Sequence, residues 1–66
     1  MKKPLVQLKH FRNEKRLTQQ EMADFIGVSL SMYEKVERGY IKASRNFMDA
    51  IKARYSQIDI NKIFFE

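Results

Sequence analysis

Apolar residues recur along this chain at intervals of three and four, the spacing that lines one face of a helix. Leu5, Leu8 and Phe11 predict a first helix over about residues 4–15. Pro4 suits its first turn, where a missing N–H leaves no partner unsatisfied. Thr18 and Glu21 then form the spacing of a reciprocal capping box, and Met22, Ala23 and Ile26 give the buried face of a second helix that ends at Gly27. Ser29 is the cap of a third helix, with Tyr33 and Val36 turned inward and Gly39 as its stop. After the loop "YIKA", Ser44 caps a fourth helix in which Phe47, Ala50, Ile51 and Tyr55 share a face. Asp59 caps a short fifth one reaching Ile63 or Phe64. No stretch alternates with period two for long enough to argue a strand, and no repeat, low-complexity run or linker divides the chain. The expectation is five helices in one all-α domain spanning residues 1–66.

Length makes this core small. A domain of roughly 60 residues buries only about 60% of its unfolded surface. With no cysteine and one histidine in 66 residues, neither a disulfide nor a tetrahedral metal site is available as a staple. Helix packing, helped by a partner subunit, has to carry the stability. The opening "MKKPLVQLKHF" starts like a signal peptide, but Gln7, Lys9 and His10 interrupt its apolar run. No segment approaches the roughly 20 apolar residues that span a bilayer. A cytoplasmic protein with no membrane, metal or cofactor partner is expected.

Charge narrows the partners. Thirteen Lys plus Arg against eight Asp plus Glu give a net charge of +5 and a pI near 9.8, a summed field that favours polyanions. Catalysis finds no footing: His10 has no cysteine or paired carboxylates near it in sequence, and there is no glycine-rich phosphate loop.

One corner holds a third of the chain. "TQQEMADFIGVSLSMYEKVERG", Thr18 to Gly39, reads as two short helices with a tight joint at Gly27. Helices crossing at a large angle after a short turn need a small side chain at the crossing and a residue tolerant of left-handed dihedrals in the turn. Ala23 and Gly27 supply these. Physics alone says only helix, sharp turn, helix.

The stretch resembles the helix-turn-helix (XRE) family of the phage Cro and C1 repressors and related bacterial regulators. "LTQQEMADFIGVS" looks like the family's second helix and turn, and "KVERG" looks like the end of its recognition helix. The resemblance runs from about Leu8 to Gly39 without a gap, and the tail "IDINKIFF" is similar to the short last helix of many members. It implies a five-helix, lambda-repressor-like DNA-binding domain. It also implies a phosphate contact at Gln19 with Thr18 beside it, and a structural ion pair between Arg12 and Glu37. Leu30, Ser31 and Lys35 fall at the positions from which the third helix faces the major groove. The chain departs from the family at Tyr33, where isoleucine or valine is usual. The ring is expected to fill the same volume while its hydroxyl reaches the rim, within range of a phosphate. In "SRNFMDAIKARY" the family's usual leucines do not line up simply.

The third helix supports the assignment without the family. With Tyr33 and Val36 inward, a step of about 100° per residue turns Leu30, Ser31, Glu34, Lys35 and Arg38 outward. A merely solvated helix tolerates that mixture, and a groove-reading helix uses it. Lys35 can donate to guanine O6 and N7, Ser31 can serve several bases, and Leu30 can pack on a thymine methyl. Glu34 is expected to be a solvated charge beside Lys35 or Arg38, while Met32 suits either the core edge or the groove. Phosphate contacts call for helix-start N–H groups and nearby cations. Gln19, and Ser44 with Arg45, provide the first; Arg38, Lys42 and Tyr40 provide the second.

A single module of this kind covers about half a turn of DNA, so a homodimer reading two half-sites about 34 Å apart is expected. The C-terminal "IDINKIFFE" is rich in large apolar residues, and Phe64 and Phe65 are the candidate dimer contacts, Phe65 being the more exposed. The expected function is sequence-specific double-stranded DNA binding by a transcriptional repressor. The alternative is a protein-interaction module, such as an antitoxin or antirepressor, built on the same fold.

Overall fold

The computed structural model describes residues 3–65 and shows five helices. They are α1 (Val6–Glu14), α2 (Gln19–Ile26), α3 (Leu30–Glu37), α4 (Arg45–Arg54) and α5 (Ile60–Phe64). No strand occurs among the described residues, and none of their helices is long and apolar enough to cross a membrane.

Local capping chemistry accounts for four of the five helix starts. Thr18 Oγ1 accepts from the Glu21 N–H at 3.1 Å while Glu21 Oε1 accepts from the Thr18 N–H at 2.8 Å, so two otherwise unpaired donors are satisfied at once. Ser29 accepts from the Met32 N–H, Ser44 from the Phe47 N–H and Asp59 from the Lys62 N–H, each at 3.1 Å. Helix α1 begins differently. Leu5 occupies its cap position without a side-chain bond, so Pro4 precedes the helix and does not sit in its first turn as the spacing suggested. The segment is held instead by a long-range bond in which the Leu5 N–H donates to the Glu37 carbonyl at 2.9 Å.

The core draws one apolar face from every helix: Leu8, Met22, Ala23, Ile26, Tyr33, Val36, Phe47, Ile51 and Ile63, with Ile58 from the α4–α5 connection. Helix α2 packs on α3 and α4, and α1 packs on α3 and α5. Phe47 joins the layers, its ring centroid 6.0 Å from Tyr33 and 6.1 Å from Phe64. A second aromatic group forms where Tyr55 meets Phe11 edge-on at 5.0 Å and Phe25 at 5.4 Å.

Two glycines shape the frame around α3. Gly27 adopts φ 84°, a left-handed conformation that costs other residues roughly 1–2 kcal/mol, and its N–H returns to the Ala23 carbonyl at 2.9 Å. Ala23 is fully buried. Gly39, at φ 83°, also lies against main chain: a Cβ there would run into the backbone of Lys3.

Candidate nucleic-acid interface

The end of α3 is fixed by a buried carboxylate with four donors. Glu37 is 4% exposed. Its Oε2 accepts from Arg12 Nε at 3.0 Å and from the Tyr33 hydroxyl at 2.7 Å. Its Oε1 accepts from Gln19 Nε2 at 3.0 Å and from Arg12 Nη2 at 3.2 Å. Arg12 Nη1 also donates to the Leu17 carbonyl at 2.8 Å. The Glu37 side chain therefore ties α1 and the start of α2 to α3, and Arg12 adds the α1–α2 turn.

Electrostatics follow from these partners. Burial pushes the Glu37 carboxyl up, but hydrogen bonds from Arg12, Tyr33 and Gln19 outweigh it and hold the group below its ordinary value. Arg12 is raised chiefly by its bond to Glu37. Burial first, then the bond to Glu37, drives the Tyr33 phenol far above its usual range. All three groups stay in the protonation state that maintains the network at neutral pH.

Tyr33 is the point where the structure departs from expectation. Its hydroxyl does not reach the rim: the residue is fully buried and the hydroxyl is spent on Glu37. The i, i+4 spacing of Tyr33 and Glu37 on one helix was the available signal for this contact. Gln19 carries a similar surprise, because its amide faces inward to Glu37 across 18 positions of sequence.

With Tyr33, Val36 and Glu37 buried, the opposite face of α3 is free. Ser31, Met32, Lys35 and Arg38 are exposed and Leu30 is half-buried. Ser31, Glu34, Lys35, Arg38 and Tyr40 line one open recess of about 200 Å³. Glu34 is half-buried and pairs with Arg38 at 3.4 Å, in keeping with a solvated charge beside a cation. Leaving this pair for another partner costs Arg38 little, since exposed i, i+4 pairs contribute only about 0.3–0.5 kcal/mol.

A family profile described as helix-turn-helix matches residues 8–57. The chain belongs to the helix-turn-helix family, of the Cro/C1 type. Searches of curated proteins and of solved structures returned no significant match. The family is one of DNA-binding transcription regulators, and α2, the Gly27 turn and α3 form its motif here.

Around that helix-turn-helix the remaining candidate residues take up defined places. Thr18 is exposed at the start of α2, its oxygen engaged in the capping box. Tyr40 and Lys42 are exposed on the loop after α3, which folds back so that the Tyr40 N–H donates to the Lys35 carbonyl at 2.8 Å. Arg45 is exposed as the first residue of α4. At the C-terminus Phe64 is half-buried against Phe47, while Phe65 is 64% exposed.

Proposed function

We propose that this helix-turn-helix protein is a sequence-specific repressor that binds duplex DNA as a homodimer, with α3 laid in the major groove. The observation supporting this most strongly is the contrast between the two faces of α3: one locked through Glu37 to α1 and to the start of α2, the other presenting Leu30, Ser31 and Lys35. A helix held in this way carries its donors on a backbone already ordered, so only side-chain freedom is lost on binding. Lys35 donates to guanine O6 and N7, Ser31 to a neighbouring base, and Leu30 packs on a thymine methyl.

Phosphate contacts set the register of that helix. Thr18 and Gln19 serve from the start of α2, Gln19 through its main-chain N–H because its amide is held by Glu37. Arg38, Tyr40 and Lys42 serve from the loop after α3, and Arg45 from the start of α4. Phe64 and Phe65 contribute to the dimer contact. Phe65 is 64% exposed and Phe64 half-buried, so the C-terminal end offers apolar surface to a second copy. Such a regulator works where the DNA is, in the cytoplasm of a bacterium, as a host or phage protein.

Selecting bound sites from a random duplex pool, with the salt dependence measured alongside, tests this function. The expected product is an enriched, two-fold symmetric sequence whose binding weakens steeply with salt. The apolar C-terminal residues favour one competing reading, a module whose main task is to sequester a partner protein. That reading predicts that the pool yields no enriched sequence.

A further inference from the structure

The basic surface assigned so far comes from residues 18–45. We infer that Lys3 is a further phosphate-contact residue, delivered to that surface by an N-terminal segment clamped against the end of α3. The inference rests on the DNA-binding reading and adds to it a residue remote in sequence from the motif.

Two independent contacts clamp the segment. The Leu5 N–H donates to the carbonyl of Glu37 at 2.9 Å, in the last turn of α3. Two residues earlier, the main chain of Lys3 passes so close to Gly39 that no Cβ fits there. Gly39 is thereby explained twice over, by its φ of 83° and by this approach. The backbone of Lys3 is thus positioned by the same turn that ends the reading helix and starts the loop carrying Tyr40 and Lys42.

Charge then indicates the ligand. Lys3 and Lys42 line one groove, with Gly39 and Tyr40 also among its lining, and no carboxylate of the described residues lines it. Both lysines are exposed. Two exposed lysines on one groove contribute a positive field, and a phosphate backbone passing the rim is attracted by it. Because the Lys3 backbone is already ordered, only side-chain freedom is lost on contact.

The test uses the full chain, the selected operator and a random duplex, with affinity measured by fluorescence anisotropy over a salt series. Lys3→Gln is expected to weaken both DNAs alike, to reduce the salt slope by about one, and to leave operator preference and thermal midpoint unchanged. The wild-type advantage over Lys3→Gln should then shrink roughly three- to fourfold between 50 and 200 mM salt. Lys3→Arg should restore the wild-type slope. Lys15→Gln is the control, because the Lys15 ammonium lies 5.1 Å from the Phe11 ring and 5.3 Å from the Tyr55 ring, at the other end of α1; its slope should match wild type. A wild-type slope for Lys3→Gln, beside a reduced slope for Lys42→Gln, overturns the inference and leaves DNA binding intact. Absence of any salt-dependent DNA binding by the wild type overturns both together.

Discussion

The Tyr33 hydroxyl donates to Glu37 Oε2 at 2.7 Å, one helical turn along α3, inside a core that excludes both residues from water. This bond converts the unusual tyrosine from a surface reader into part of the mount. Tyr33→Phe keeps the ring and removes one donor from a buried carboxylate, a change that costs about 1.5–3 kcal/mol. Urea denaturation should show that loss, while the ranking of operator sequences stays as in wild type. A change in ranking would return Tyr33 to the DNA surface.

Arg12 carries more weight than Tyr33, with three of its nitrogens engaged. Arg12→Ala leaves Glu37 buried and without its cation, a situation that costs roughly 3–5 kcal/mol. Chains of this size are stable by only about 3–10 kcal/mol, so the variant should be largely unfolded at 37 °C by circular dichroism. In Arg12→Ala/Glu37→Ala the combined loss should fall well short of the sum of the single losses, because removing both partners leaves no buried charge behind.

Stability should fall at both ends of the pH scale for reasons that trace to this network. The folded Glu37 carboxyl lies below its unfolded value of 4.5. Its contribution is therefore fully present above that pH and is lost as pH falls through the lowered folded value. The folded Tyr33 phenol lies above its unfolded value of 10.0, so its contribution is present below that pH and declines as the unfolded phenol ionises above it. Denaturation midpoints against pH should show both limbs. Glu37→Gln should flatten the acid limb and Tyr33→Phe the alkaline one.

Backbone conformation supplies a graded set of tests. Gly27→Ala meets no neighbouring atom, so only the left-handed φ opposes it, and a loss of about 1–2 kcal/mol is expected. Gly39→Ala adds a collision with the Lys3 backbone and should cost distinctly more. Arg16, at φ 59°, presents the opposite case: Arg16→Gly relieves strain and should stabilise by up to about 1 kcal/mol. Thermal midpoints ordering these variants otherwise would contradict the backbone account.

Much of this arrangement was legible in the sequence because its signals are local. Thr18, Ser29, Ser44 and Asp59 each bond an N–H three residues on, and Gly27 ends α2 through a bond to Ala23. The free face of α3 followed from Tyr33 and Val36 by helical geometry alone. What escaped joins distant positions. The bonds from Gln19 to Glu37 and from Leu5 to Glu37, and the passage of Lys3 over Gly39, depend on how helices meet in space. A core tyrosine also looks, in sequence, like one whose polar tip seeks water. Only the position of Glu37 decides otherwise.

The division of labour between base reading and phosphate anchoring is the central claim, and Lys35→Ala compared with Lys42→Ala tests it directly. Affinities of both variants would be measured against the selected operator, single-base operator variants and random duplex over a range of salt. Lys35→Ala should relax discrimination at one base pair by about 1–3 kcal/mol. Lys42→Ala should weaken all duplexes alike and lower the salt slope by about one. Unaltered operator preference in Lys35→Ala would contradict the placement of α3 in the major groove.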